Sequence, residues 1–221
     1  MAHDFQFISK HDPMIQERRR QLESLIKDVQ NLVRKKFTFQ FQFVGSYNRN
    51  MITYDTKSNI GPDFDVNIEP NTWETNYSAK QIRTIIKNAL NQVAPRYGYD
   101  FAEDSTRVLT IKVKDRKHSR ILYSCDFAIV ANYEDEEGYS CQQYIRFDKK
   151  RSAYIWCEQQ DGFYMLLEKI DWIKDNDLWG ELRDLYIEKK NDNTDPHQHS
   201  RSIFAGTVHQ ICQQYGFFEE E

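Results

Sequence analysis

The sequence has no long hydrophobic run: none of its apolar stretches approaches the roughly 20 residues that a membrane-spanning helix needs. The N-terminus lacks the basic and apolar regions of a secretory signal peptide. No Cys-x-x-Cys pair occurs, which argues against a disulfide framework and predicts reduced thiols. The four cysteines are Cys125, Cys141, Cys157 and Cys212. These absences together predict a cytoplasmic protein with no membrane partner.

The chain also lacks an excess of positive charge. Its 30 lysines and arginines are outnumbered by 34 aspartates and glutamates, which gives a formal net charge of −4. This balance argues against strong binding of duplex nucleic acid, although a small nucleotide that brings its own magnesium remains compatible. The glycines form neither a P-loop nor a dinucleotide-binding fingerprint, and no Ser, Cys or His stands in a recognisable nucleophile motif. Hydride transfer and acyl transfer are therefore disfavoured.

What the chain does contain is a polar motif at the start of a predicted strand. Asp63 and Asp65 open a segment in which polar and apolar residues alternate, so both carboxylates lie on one face. The strand rise sets them about 6–7 Å apart. Like charges held this close favour a cation or a proton between them, and all-oxygen ligands favour magnesium over zinc. The alternative is a solvated strand edge preceded by a tight turn.

Two further features strengthen the metal interpretation. Gly45-Ser46 follows the alternating strand predicted over Phe37–Val44, and such a turn offers backbone N–H groups and a hydroxyl to a polyphosphate. Asp126 stands alone in the apolar strand predicted over Ile121–Val130, where a carboxylate needs a partner or a metal. Combined with the Asp-x-Asp pair, these features predict metal-assisted chemistry on a nucleotide.

The motifs Val44-Gly45-Ser46-Tyr47 and Asp63-Phe64-Asp65-Val66 resemble the signature of the polymerase-β-like nucleotidyltransferase superfamily. They are most similar to the branch that contains cyclic GMP-AMP synthase, 2′-5′ oligoadenylate synthase and the bacterial cyclic-oligonucleotide synthases. The resemblance covers about residues 37 to 130. Lys57–Pro62 departs from the pattern as a small loop insertion that lengthens the gap before Asp63.

The resemblance implies a mixed α/β (α+β) fold, with a nucleotidyltransferase-type mixed sheet, flanking helices and a C-terminal helical subdomain. It implies that a nucleoside monophosphate moves from a nucleoside triphosphate, expected to be ATP, to a hydroxyl, and that pyrophosphate is released. Asp63 and Asp65 would bind both magnesium ions, with manganese as the alternative metal. Asp126 would complete the second metal site and help deprotonate the acceptor, while Gly45 and Ser46 would hold the β- and γ-phosphates.

Three functions remain open at this point. The first is a synthase of a cyclic or short oligonucleotide, and the second is a transferase that modifies a protein, an RNA end or a small molecule. The third is a non-catalytic nucleotide-binding protein that kept the fold. The acceptor, the product and the oligomeric state do not follow from the motifs.

Helical periodicity organises the rest of the chain. A helix over Pro13–Lys35 is predicted with a buried stripe, and a second one over Ser78–Val93. The stripe of the first helix comprises Ile15, Leu22, Leu25, Ile26, Val29, Leu32 and Val33. Three further helices are predicted over Gly162–Lys174, Leu178–Lys190 and Ile203–Tyr215. We therefore expect a nucleotidyltransferase core with its N-terminal helix over 1–158 and a helical subdomain over 159–221.

One stripe in the subdomain carries positive charge. Arg183, Tyr186 and Lys190 share a helical face, with Lys189 beside it. The pattern is also typical of an exposed face that is salt-bridged to neighbouring acidic residues. In the resembled branch a lysine of the helical part reaches the triphosphate, and this implies nucleotide binding by Lys189 or Lys190, with Arg183 and Tyr186 in support.

Overall fold

A computed structural model describes residues 3–57, 60–71, 77–159, 165–195 and 198–217. The described residues form nine strands and six α-helices. The strands are β1 (Phe5–Ile8), β2 (Phe39–Val44), β3 (Ile52–Asp55), β4 (Asp63–Pro70), β5 (Glu103–Asp104), β6 (Val108–Asp115), β7 (Arg120–Glu134), β8 (Ser140–Asp148) and β9 (Ala153–Glu158). The helices are α1 (Pro13–Val33), α2 (Gly45–Asn48), α3 (Ala79–Val93), α4 (Leu166–Asp175), α5 (Trp179–Asp192) and α6 (Ser200–Gln214). The mixed α+β class predicted from the sequence is confirmed.

The chain divides into two compact units. The sheet unit consists of the described residues of 8–54 and 59–159, and the helical unit consists of those of 1–7, 55–58 and 160–221. Among the described helices, none combines the length and the apolar character required to cross a bilayer.

A mixed sheet of seven strands dominates the sheet unit. Its strand order is β2-β4-β7-β6-β5, and β8 extends it by pairing with both β7 and β9. β4 and β7 run parallel, whereas β2 is antiparallel to β4 and β6 is antiparallel to β7. The parallel pair at the centre brings the beginning of β4 beside the first half of β7, and this pairing positions the site described below.

The hydrophobic core lies on one face of this sheet. Alternate residues of β2, β4, β6 and β7 are buried there together with the apolar stripes of α1 and α3. Asp12 caps α1 by accepting a hydrogen bond from the Met14 N–H at 2.8 Å, and Pro13 occupies the first turn, where the predicted helix begins. Leu32 is a correction to the predicted stripe, because it lies at the stripe's edge in the last turn and remains 41% exposed.

The helical unit contains three longer helices close to those that the periodicity predicts. α6 packs against both α4 and α5, and its apolar residues, which include Ile203, Val208 and Ile211, are buried. The predicted start of the first of these helices, at Gly162, lies outside the described residues, as do Ser58 and Asn59 of the predicted loop insertion. The short strands β1 and β3 were missed from the sequence, because four residues carry too little periodicity to be recognised.

Candidate active site

The three predicted carboxylates converge on two neighbouring parallel strands. Asp63 and Asp65 lie on β4, Asp126 lies on β7, and the register pairs Asp65 directly with Asp126. One carboxylate oxygen from each residue lies within 4.8 Å of the other two. The intervening Phe64 and Phe127 are fully buried in the core, so the alternation of the strands directs the three aspartates to the opposite face.

Asp63 and Asp126 each accept a hydrogen bond from a hydroxyl on the adjacent strand. Ser124 Oγ donates to Asp63 Oδ1 at 2.7 Å, and Thr110 Oγ1 donates to Asp126 Oδ1 at 2.5 Å. In each case donor and acceptor are direct cross-strand partners, across β7–β4 for the first pair and across β6–β7 for the second. The sheet register therefore holds these two carboxylates by hydrogen bonds.

Mutual repulsion and burial alter the acidity of the cluster. Burial, followed by the charges of Asp126 and Asp65, raises the pKa of Asp63 from 3.8 to about 7, against the opposing hydrogen bonds from Ser124 and from the Phe64 N–H. Burial also raises the pKa of Asp126, although the Thr110 hydroxyl and the charge of Lys112 oppose this shift. Bringing a third acidic group into such a cluster is costly unless a cation or a proton compensates it.

The donor set fits a divalent cation. All three groups are carboxylates, which are the ligands that magnesium and manganese prefer, and their oxygens converge closely enough to share a cation. Burial first, and then the neighbouring charges of Asp126 and Asp65, disfavour the ionised form of Asp63, and a divalent cation bound there would favour it.

Gly45 brings the Gly-Ser turn to the carboxylates. It has a φ of +65°, and a Cβ atom built on it would lie 2.0 Å from Asp65 Oδ2. Glycine is therefore required twice, for the left-handed backbone and for the space that the Asp65 carboxylate occupies. Ser46 is the next residue in α2, and Tyr47 anchors the helix by packing its ring 5.8 Å from that of Phe64.

The four C-terminal candidates lie on α5 of the helical unit, whereas the carboxylates and the Gly-Ser turn belong to the sheet unit. Tyr186 is buried, the Arg183 guanidinium lies 4.3 Å from the centroid of the Phe7 ring, and Lys190 Nζ lies 4.2 Å from that of Phe5. These contacts join α5 to the N-terminal segment within the helical unit. Nucleotide binding by these residues, Lys189 included, remains a prediction.

The sequence analysis did not identify Ser124 and Thr110 as site residues. The alternation of β7 does place Ser124 on the same face as Asp126, and the alternation of β6 places Thr110 on the polar face of its own strand. Their pairing with particular aspartates depends on the register between strands, however, and the register does not follow from the pattern of a single strand.

Neither a protein-family model nor a curated protein matches the sequence. Solved structures do match. The CdnE cyclic dinucleotide synthase of Elizabethkingia meningoseptica, solved with GTP and Apcpp, is similar over 91% of this chain and 70% of its own, with a TM-score of 0.52 and 12% identity. The STING-associated CdnE c-di-GMP synthase of Capnocytophaga granulosa is similar over 90% of this chain, with a TM-score of 0.53 and 16% identity.

A third similar structure is Vibrio cholerae DncV in its 3′-deoxy ATP bound form, which matches over 87% of this chain with a TM-score of 0.55 and 16% identity. Another structure of DncV is described as a cyclic AMP-GMP synthase and a prokaryotic cGAS homolog. The chain spans 59% of the length of the Capnocytophaga structure and 51% of the DncV structure. These similarities show a shared fold, and it is the fold that the resemblance carried by Gly45-Ser46 and Asp63-Phe64-Asp65 implies.

Proposed function

We propose that the protein is a nucleotidyltransferase that moves a nucleoside monophosphate from a nucleoside triphosphate to a hydroxyl acceptor. The observation that carries the proposal is the convergence of Asp63, Asp65 and Asp126 to within 4.8 Å, beside a glycine whose Cα leaves room for one of the carboxylates. The similarity of the fold to synthases solved with GTP and ATP analogues supports the same reaction class.

In this proposal the three carboxylates would hold divalent cations: Asp63 and Asp65 would bind both ions, and Asp126 would complete the second metal site. Magnesium or manganese bound there would neutralise the triphosphate and lower the pKa of the acceptor hydroxyl. Asp126 receives the proton as the acceptor oxygen bonds to the α-phosphorus. The bond from the α-phosphorus to the bridging oxygen breaks, and pyrophosphate leaves with the bonding electrons.

Gly45 and Ser46 bind the β- and γ-phosphates in this scheme, with a backbone N–H and a hydroxyl as donors. Lys189 or Lys190 adds charge to the triphosphate tail. Replacing both lysines with Ala should weaken the binding of a triphosphate far more than that of the monophosphate, and most at low salt, because salt screens such contacts. An equal loss for both ligands, or no loss, would assign the lysines to a solvated face.

The test is incubation of the purified protein with each ribonucleoside triphosphate and Mg²⁺, in parallel with label at the α- or the γ-phosphate. Transfer of a nucleoside monophosphate moves the α-label into a product and the γ-label into pyrophosphate. Label in inorganic phosphate alone would instead indicate hydrolysis and contradict the proposal. Asp63→Asn, Asp65→Asn and Asp126→Asn should each abolish transfer, because each loses a charge that would face the metal. Full activity in one variant would remove that residue from the metal site.

A cyclic or short oligonucleotide is the product that we propose first. The similar structures include cyclic dinucleotide synthases, and one of them holds a linear pppA(3′,5′)pG intermediate. A labelled product that forms from triphosphates alone and whose mobility is unchanged by phosphatase would identify a cyclic compound, because a linear product loses its terminal phosphates. Label that moves only when cell lysate is added would select a transferase that modifies a protein, an RNA end or a small molecule. No transfer under either condition would favour a non-catalytic nucleotide-binding protein.

A further inference from the structure

The hydroxyls of Ser124 and Thr110 occupy equivalent positions relative to two different carboxylates. Each lies on the strand next to its aspartate and on the residue that the register pairs with that aspartate. Each donates to the Oδ1 oxygen, at 2.7 Å for Ser124 to Asp63 and 2.5 Å for Thr110 to Asp126. One oxygen of each carboxylate is thereby engaged on the side of the neighbouring strand.

The carboxylate of Asp65 has a different kind of close neighbour, which is a glycine. Its cross-strand neighbours are Val44 and Asp126, and neither carries a hydroxyl. Gly45 instead borders its carboxylate so closely that a Cβ atom there would lie 2.8 Å from Asp65 Cγ. Each of the three carboxylates therefore has an identifiable neighbour that limits the orientation of its plane.

Orientation matters because a carboxylate on a strand rotates easily about its terminal torsion. A hydrogen bond to one oxygen fixes this rotation and leaves the other oxygen for a cation. Outer-shell donors of this kind orient the ligands of metal sites, and their loss typically weakens metal binding by about 10–100-fold.

We infer that Ser124 and Thr110 are positioning residues that fix the carboxylate planes of Asp63 and Asp126 for a divalent cation. This inference rests on the proposed metal-dependent transfer. It adds that the affinity for the metal depends on two hydroxyls, those of Ser124 and Thr110, which do not belong to the carboxylate cluster. The two residues act through the aspartates and are not themselves assigned to the metal, the nucleotide or the acceptor.

The test measures metal binding directly. Mn²⁺ is titrated into wild type and variants with a non-hydrolysable triphosphate, and free Mn²⁺ is followed by its electron paramagnetic resonance signal. The same titration of the triphosphate without protein gives the Mn²⁺ that the nucleotide binds by itself, and this amount is subtracted. Ser124→Ala and Thr110→Val should each weaken Mn²⁺ binding by about 10–100-fold. The conservative variants Ser124→Thr and Thr110→Ser keep a hydroxyl and should retain most of the affinity.

A matched control is Thr84→Val on α3. The Thr84 hydroxyl also makes a hydrogen bond, to the Lys80 carbonyl at 2.7 Å, but it lies on an exposed helical turn away from the carboxylates. Its replacement should leave Mn²⁺ binding unchanged. Thermal unfolding of every variant, measured without metal, separates a loss of metal affinity from a loss of the fold.

Three results would overturn the inference. The first is that Ser124→Ala and Thr110→Val bind Mn²⁺ as tightly as the wild type, whereas Asp63→Asn does not bind it. This result would overturn the inference but not the proposed function. The second is failure of the conservative variants to recover the affinity in a folded protein. The third is absence of Mn²⁺ binding by the wild type, which would remove the proposed metal centre together with its positioning residues.

Discussion

Asp63 is the residue whose ionisation reports most directly on the candidate site. Its pKa is raised from 3.8 to about 7, mainly by burial. At a pH between these two pKa values, Asp63 is protonated in the folded protein and ionised in the unfolded chain. A folded state that binds more protons loses stability as pH rises. The metal-free protein should therefore become less stable as pH rises from about 4 to 7, through this group.

A divalent cation should reverse this trend, because it binds the ionised carboxylate and competes with the proton. The measurement is the shift in melting temperature caused by Mg²⁺, which should be larger at about pH 8 than at about pH 6. Asp63→Asn has no such proton to lose and should show a much smaller shift at both values. A wild-type shift that does not depend on pH would contradict the raised pKa or the metal site.

Gly45 allows a second prediction, in which two effects of an added side chain can be separated. Gly45→Ala adds a Cβ that would meet Asp65 Oδ2 at 2.0 Å and places a non-glycine residue at φ +65°. Gly98→Ala is the matched control, because Gly98 has a φ of +82° with nothing within 4 Å of the added Cβ. Both variants should lose about 1–2 kcal/mol of stability from the backbone conformation.

Only Gly45→Ala should also impair Mn²⁺ and triphosphate binding, since it displaces a carboxylate of the site. Calorimetric titration of both variants checks this difference. If Gly45→Ala and Gly98→Ala bind Mn²⁺ and the triphosphate equally well, the contact between Gly45 and Asp65 has no role in ligand binding. The sequence predicted Gly45 as a phosphate-binding residue, whereas its contact with Asp65 depends on the end of β2 meeting β4, which only the tertiary structure provides.

At the scale of the elements, the parallel pairing of β4 with β7 brings the carboxylates together. Alternation in the sequence predicted the face of each strand, because buried and exposed positions differ in polarity. It did not predict the register, since pairing depends on contacts between segments about 60 residues apart in the chain. β4 begins at Asp63 as predicted, but nothing in the local pattern shows what holds that beginning in place.

The approach to β4 depends on Gly61. A Cβ atom there would lie 2.0 Å from the Leu122 carbonyl oxygen and 2.8 Å from that of Ile121, so the chain passes β7 in close contact. The neighbouring Pro62 carbonyl accepts a hydrogen bond from the Ser124 N–H at 3.1 Å. The close approach of Gly61 and Pro62 to β7 therefore fixes the position of Asp63, the first residue of β4.

Gly61→Ala should therefore separate the two segments, at a cost of about 1–3 kcal/mol from overpacking. Gly206→Ala, in α6, is the control and should increase the free energy of unfolding. Its added Cβ meets nothing within 4 Å, and alanine is more favourable than glycine in a helix by about 1 kcal/mol. Chemical denaturation measures both changes, and hydrogen exchange at Ser124 should accelerate only in Gly61→Ala. Unchanged protection of that amide would show that this close approach tolerates a side chain.

At the scale of the whole molecule, the periodicity of the C-terminal third predicted its helices, but the sequence did not predict that the N-terminal residues group with them. The Phe5 N–H donates to Asn191 Oδ1 at 2.5 Å, and these residues are 186 positions apart. Asp55 is buried and binds His3 Nδ1 at 2.6 Å. A helix is recognised from the local period of its apolar residues, whereas contacts between residues this far apart in the chain produce no local sequence pattern.

Phe5 is the buried anchor of this N-terminal segment. Its side chain is only 9% exposed, its ring lies 4.2 Å from Lys190 Nζ, and its backbone binds Asn191. Phe5→Ala should destabilise the helical unit by about 3 kcal/mol, the lower end of the range for a buried phenylalanine. Phe101→Ala serves as the control, because Phe101 is 67% exposed and its loss should change stability by less than about 0.5 kcal/mol.

Hydrogen exchange followed by mass spectrometry locates the effect. In Phe5→Ala, the protection of backbone amides against exchange should fall in peptides from α5 and α6. Peptides from β4 and β7 should keep their protection. The reason is that a compact unit loses protection as a whole when one of its buried anchors is removed. An equal loss in both sets of peptides would show that the two units unfold together. Unchanged protection in α5 would show that the N-terminal segment does not stabilise the helical unit.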